Sequence, residues 1–310
     1  MALLLFAAVA FLPGWALAEG RGGTVGGPDQ SLGGPDPSNQ TVRVRFQDDS
    51  RCLRLVAAGV NTKNASSPTT GGVITLPPVL GPIVWAGLYW VTLADGAHPN
   101  VVTLNGTAVT PVALPVTFSP CRTPIFANAY FALVTPLVIP GPNVVAGLDD
   151  SGTLNVSPET EGASLVVVYE SATSGACEII VMDGNDLLSL VGQEIINAVP
   201  VTCATPAPGT LYFVGGDGQP FPDDQRWNGV VLGDGDDFDD SDPETVGAGN
   251  GWDTDGWAVI VGPNVASISN PATAGDCIDW VVTALEVNVQ NCQTTPNRKS
   301  TWGTLKTLYR

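Results

Sequence analysis

The stretch Ile83-Val84-Trp85-Ala86-Gly87-Leu88-Tyr89-Trp90-Val91-Thr92 decides the fold. It carries no charge, is dense in β-branched and aromatic residues, and lies between Gly81-Pro82 and Asp95-Gly96. A run of this length and make-up between turn residues reads as a β-strand, because branched and aromatic side chains pack well on a pleated surface. Successive side chains on a strand point to opposite faces, so Trp85 and Tyr89 share one face and Trp90 takes the other. Large aromatics on so apolar a strand are read as core rather than as a ligand platform.

The pattern recurs in both directions. In Thr41-Val42-Arg43-Val44-Arg45-Phe46, the residues Val42, Val44 and Phe46 alternate with two arginines, the period of a half-buried strand. Further β-rich runs cover 53–60, 73–76, 101–104, 129–133, 143–148, 164–169, 178–182, 210–214, 257–261 and 280–289, each bounded by Gly, Pro, Asn or Asp. Short strands at this spacing predict an all-β chain, an antiparallel β-sandwich of jelly-roll type. Helical spacing competes only at 186–196 and at the extreme C-terminus. The Pro-rich segment 200–208 suggests two packed subdomains, 41–200 and 201–293, with one elaborated sandwich as the alternative.

Residues 1–18 are apolar and end in Ala16-Leu17-Ala18 before Glu19, the small-x-small pattern that a signal peptidase cuts. A signal peptide is expected although no Lys or Arg precedes the apolar run; an uncleaved anchor is the alternative, disfavoured by Pro13 and Gly14. No other stretch is apolar enough for a membrane helix, so no membrane span is expected after cleavage. The expected location is secreted, extracellular or on the cell surface. The net charge of −18 argues against nucleic acid and anionic lipid as partners. With 44% hydrophobic residues the charge does not signal disorder. Six cysteines, Cys52, Cys121, Cys177, Cys203, Cys277 and Cys292, all follow the cleavage point, and in an exported chain they read as three disulfides. Short loops favour the sequential pairing 52–121, 177–203 and 277–292.

The segment 217–255 holds twelve of the thirty carboxylates. Its centre places Asp234, Asp236, Asp237, Asp239, Asp240 and Asp242 within nine positions. Crowded carboxylates are either solvated or bridged, and Ca²⁺ takes six to eight oxygens from such flexible loops. Phe238 sits where an EF-hand would have a ligand, so the spacing is not that motif. A long acidic loop and a calcium site both remain open. Asn39, Asn64, Asn105 and Asn155 stand in glycosylation sequons.

Catalytic constellations are scarce. The single histidine, His98, lies in a turn, and no nucleophile elbow, metalloprotease or phosphate-loop motif occurs. The chain therefore reads as a non-enzyme. Trp227, Trp252 and Trp257, in or beside the acidic segment, would be the aromatics of a glycan-stacking surface.

Residues 19–40 are rich in Gly and Pro and read as a flexible arm. The tail 294–310 holds four of the twelve basic residues and spaces Trp302, Leu305 and Leu308 as one helical face. Arm and tail suggest self-association. The strand at 41–46 could complete a neighbour's sheet through Val42, Val44 and Phe46, and the basic tail could dock on an acidic body.

Trp85-Ala-Gly-Leu-Tyr-Trp90, Val102-Thr-Leu-Asn-Gly106, Ala129-Tyr-Phe-Ala-Leu-Val-Thr135, Gly162-Ala-Ser-Leu-Val-Val-Val-Tyr-Glu170 and Trp252-Asp-Thr-Asp255 together resemble a family of exported β-sandwich proteins of bacterial and archaeal cell surfaces. The likeness covers about residues 80–290. The ending 300–310 is similar to a terminal segment of exported proteins in several bacterial phyla. The resemblance implies surface location and no assigned catalytic activity. The leading expectation is a structural or adhesive subunit that assembles into a filament or layer. A calcium-dependent carbohydrate-binding module is second and a secreted hydrolase third.

Overall fold

A strand covered on both faces reads as a continuous apolar run, whereas one covered on a single face alternates polar and apolar residues. The run at 83–92 is continuous, and the computed structural model shows why. It describes residues 42–49, 52–62, 70–98, 101–119, 125–151, 156–188, 193–216, 223–233, 245–246, 251–269 and 277–291. These form four packed sheets and a short two-stranded ribbon, with no helix among the described residues.

Sheet I has the order β3 (Gly71–Thr75), β10 (Pro142–Ala146), β5 (Thr103–Leu104), β6 (Thr107–Ala108). Sheet II runs β18 (Thr245–Val246), β2 (Leu53–Asn61), β11 (Glu159–Glu170), β4 (Ile83–Ala94), β9 (Ile125–Leu133), β7 (Val112–Ala113), and β8 (Thr117–Ser119) also pairs with β9. Sheet III runs β1 (Arg43–Asp48), β13 (Glu178–Leu188), β21 (Ile278–Val287), β15 (Ala207–Gly216), β19 (Trp252–Val261). Sheet IV runs β14 (Glu194–Ala198), β20 (Val265–Ser269), β16 (Asp224–Trp227), β17 (Val230–Val231), and β12 (Ser174–Gly175) pairs with β22 (Gln290–Asn291). The pairings are antiparallel except the short parallel contact of β18 with β2.

Three apolar clusters fix the order of the layers. Leu88, Trp90, Leu104, Val145 and Leu165 lie between sheets I and II. Trp85, Tyr89, Phe131, Val181 and Trp252 lie between II and III. Met182, Phe213, Trp227, Ile268 and Trp280 lie between III and IV. Sheets II and III are therefore interior layers, and every residue of β13 and β21 is buried. The expected split of Trp85 and Tyr89 from Trp90 is realised, with Trp90 stacked on Tyr130 at 5.4 Å in the other core.

Three expectations are corrected. The joint at 200 is not a domain boundary: β1 and β13 from before it share sheet III with β15, β19 and β21 from after it. Of the segment 186–196, with its helical spacing, residues 186–188 instead finish β13 and 194–196 lie in β14, because pairing with neighbouring strands over apolar cores outweighs local spacing. Finally, Val42, Val44 and Phe46 do not share one face. A bulge between Val44 and Phe46 makes Arg45 the extra residue. Phe46 packs on Trp85 at 5.5 Å, Val42 joins the III–IV core, and Val44 stays 45% exposed. The physical reason is Asp183, a buried carboxylate beneath the strand; the bulge turns a cation onto it.

Candidate assembly edge and acidic pole

β1 is the terminal strand of sheet III, and four of its six residues are exposed. Its anchors are few. Arg45 donates to both oxygens of Asp183, from Nε at 2.6 Å and from Nη2 at 3.0 Å. The same guanidinium lies 4.5 Å from the Phe131 ring centre, a cation–π contact. Tyr89 donates its hydroxyl to Asp183 at 3.2 Å from the core of sheet II. Gln47 donates to Glu178 at 2.6 Å and to the Pro200 carbonyl at 3.2 Å. Burial holds the Asp183 carboxyl above its ordinary pKa, and the Arg45 guanidinium pulls the other way. Tyr89, fully enclosed, is pushed well above the usual phenol value by burial and then by the neighbouring carboxylate.

At one end of the stack, where β13 and β15 finish and β11, β19 and β21 begin, seven carboxylates are buried: Glu159, Glu161, Asp186, Asp223, Asp253, Asp255 and Asp279. Side-chain amides meet two of them. Asn197 donates to Asp186 at 3.1 Å, and Gln225 donates to Asp255 while accepting from Trp257 Nε1 at 2.6 Å. The clue in the sequence was Asp183-Gly-Asn-Asp186, a polar break inside an apolar run, but nothing local shows that such groups are enclosed. Among the described residues, no three His, Cys, Asp or Glu side chains are grouped to hold a metal ion. Asp234, Asp236, Asp237, Asp239, Asp240 and Asp242, the expected calcium ligands, lie outside the described residues, between β17 and β18.

The opposite end is stapled. Cys177 and Cys203 form a disulfide, as expected from their spacing. Cys52 and Cys277 are disulfide-bonded as well, while Cys121 and Cys292 lie outside the described residues. Glu178 accepts from the amides of Thr202 at 2.7 Å and Cys203 at 3.1 Å. Arg54 and the Leu55 amide both donate to Glu286, at 3.0 and 2.8 Å.

The aromatics expected to face a glycan are placed differently. Trp252 and Trp227 are core residues, and Trp257 is half-buried with its indole nitrogen committed to Gln225. Trp85, Tyr89, Trp90, Tyr130, Phe131, Tyr169, Tyr212, Phe213 and Trp280 are likewise buried. The Asn105 sequon is occupied structurally: its amide donates to the Leu137 carbonyl at 2.8 Å and to Asn143 at 2.9 Å. Asn39, Asn64 and Asn155, the arm 19–40, and the tail residues Trp302, Leu305 and Leu308 lie outside the described residues. His98 is half-buried and pairs with Asp149 at 3.0 Å. No family model matches the chain, and no curated protein matches it.

Proposed function

We propose that the protein is a secreted structural or adhesive subunit of a cell surface or extracellular matrix, self-associating by exchange of β1 between copies. The observation that carries this reading is the status of β1 as a weakly enclosed edge strand, joined to β2 in another layer by residues 49–52 alone. A neighbour's β1 can adopt the same register on β13, from Arg43 opposite Asp183 to Asp48 opposite Ile179. Exchange conserves the backbone hydrogen bonds, the Arg45–Asp183 pair and the Phe46 contact, so its cost is confined to opening the short connection. An unpaired strand edge is the usual template for such pairing.

Several features support the exported setting. The Cys177–Cys203 disulfide belongs to an oxidising compartment, and the signal-like segment 1–18 would deliver the chain there. Interior sheets covered on both faces suit a protein selected to persist outside a cell. The resemblance to exported surface sandwiches points the same way. The enclosed aromatics disfavour glycan stacking as the primary role.

Sedimentation of the processed full-length protein tests the proposal. The expected result is oligomers that grow with concentration and are absent from a variant lacking residues 19–48. A compact monomer at high concentration overturns it.

A further inference from the structure

Two hairpin turns of the protein are chemical twins. Asn105-Gly106 joins β5 to β6, the terminal strand of sheet I, and Asn228-Gly229 joins β16 to β17, the terminal strand of sheet IV. Both residues have positive φ in each turn, 51° and 77° in the first and 52° and 78° in the second, as a type I′ turn requires. In each, the asparagine is clasped by a valine of the adjoining strand. Asn105 N–H donates to the Val144 carbonyl at 2.8 Å, and Val144 N–H donates back to Asn105 Oδ1 at 2.9 Å. Asn228 N–H donates to the Val265 carbonyl at 2.7 Å, and Val265 N–H donates back to Asn228 Oδ1 at 2.9 Å. The N–H aimed at each side chain fixes which of its atoms is oxygen. The side-chain nitrogens differ. Asn105 Nδ2 donates to the Leu137 carbonyl at 2.8 Å and to Asn143 Oδ1 at 2.9 Å. Asn228 Nδ2 meets no acceptor among the described residues, and it faces Gly262, where a Cβ would stand 3.8 Å from it.

An asparagine followed by glycine sets an electrophilic carboxamide beside a main-chain nitrogen that no side chain shields. We propose that Asn228 is a site of spontaneous deamidation and that the fold protects Asn105 from the same reaction. The Gly229 nitrogen attacks Cγ of Asn228. The N–Cγ bond forms, the Cγ–Nδ2 bond breaks, and ammonia leaves carrying the Gly229 amide proton. Water then opens the cyclic imide, at the side-chain carbonyl to give aspartate or at the main-chain carbonyl to give isoaspartate. Bringing the Gly229 nitrogen onto Cγ takes rotation of the main chain after Asn228, which detaches only β17, two residues long, and leaves the clasp on Val265 in place. Val265 N–H then stabilises the negative charge that Oδ1 gathers during the attack. The turn at Asn105 could open in the same way, but its departing nitrogen must first give up two hydrogen bonds. The two products act differently on sheet IV. Aspartate keeps an oxygen on the Val265 N–H and adds one negative charge, whereas isoaspartate lengthens the main chain by one carbon and carries Val230 off its place opposite Trp227. None of this depends on self-association.

The test uses the full processed chain, held at mildly alkaline pH and then mapped by peptide mass spectrometry, with isoaspartate identified by enzymatic methylation. Position 228 is expected to convert about tenfold faster than position 105, the difference that two additional ordinary hydrogen bonds would make. In the same protein unfolded in guanidinium the two sites should convert at similar rates, because only the fold distinguishes them. Asn250-Gly251, whose asparagine lies outside the described residues, is read as a separate peptide. A native protein in which Asn105 keeps pace with Asn228 overturns the inference. So does a native protein that converts neither site while the unfolded chain converts both. A preference for position 228 that persists undiminished in guanidinium overturns it as well, since local sequence would then be the cause.

Discussion

Arg45 shows how one residue sets the behaviour of a strand. Replacing it with Ala removes both donors from a carboxylate that is 1% exposed, leaving a buried charge unpaired. Breaking such a pair costs about 3–5 kcal/mol when both partners are buried; the partial exposure of Arg45 lowers the expectation to about 2–3 kcal/mol in urea unfolding. Tyr89→Phe removes a single donor from the same carboxylate and is expected to cost about 1 kcal/mol. The pH dependence has a definite sign. The folded Asp183 holds its proton more tightly than the unfolded chain does, so its contribution to stability is greatest below the ordinary carboxylate value near 4 and declines as pH rises through the raised one. Asp183→Asn, which cannot titrate, should make the slope of melting temperature against pH more positive just above about pH 4. An unchanged slope would show that Asp183 titrates normally. Gly162 is a different constraint: a Cβ there would lie 2.5 Å from both the Trp252 side chain and the Val60 carbonyl. Gly162→Ala is accordingly expected to destabilise by about 1–3 kcal/mol through overpacking between sheets II and III, read by thermal melting.

At the scale of the element, the disulfide and the edge strand act on one corner of sheet III. Cys177 precedes β13 and Cys203 precedes β15, a sequence separation of 26 with β13 and β14 inside the loop. Closing a loop of that size restricts the unfolded chain by about 3 kcal/mol in the entropic account. Cys177→Ser/Cys203→Ser should lower stability by about 2–5 kcal/mol. It should also loosen the 200–203 turn that Glu178 and Gln47 grip, so hydrogen exchange at Thr202 should quicken along with that of β1. Unchanged exchange in β1 would separate the staple from the edge. The expected strands at 53–60, 83–92, 164–169, 178–182, 210–214 and 280–289 all appear, several of them longer, because their branched and aromatic content is a local signal. β14, β16, β17 and β20 were not legible in the same way. All four are short, β14, β16 and β20 are polar on one face and β17 is only Val230–Val231, and they become strands by pairing with one another over the III–IV core.

At the scale of the whole molecule, the stack is asymmetric. An uncharged sheet caps one side, a charged sheet caps the other, and buried carboxylates gather at the end from which the acidic segment 217–255 departs. If Asp234 to Asp242 hold calcium, melting temperature should rise with millimolar Ca²⁺ and fall with a chelator, by about 1.4 kcal/mol of stabilisation at tenfold over the dissociation constant. No heat of binding and no change in melting would identify a solvated loop.

The sequence by itself determined that the chain is all-β, where most long strands lie, which aromatics of 85–90 share a face, and that Cys177 and Cys203 are near enough in the chain to pair. These depend on residue type and on spacing within a few positions, where strand geometry has a fixed period. Only the tertiary structure decided that residues before and after 200 share a sheet, that Arg45 turns inward through a bulge, and that Trp227 and Trp252 are core. It also decided that carboxylates such as Asp186 and Asp255 are enclosed. Each of these depends on which distant strand lies opposite or above, and burial of a charge is a property of that environment rather than of the residue that carries it.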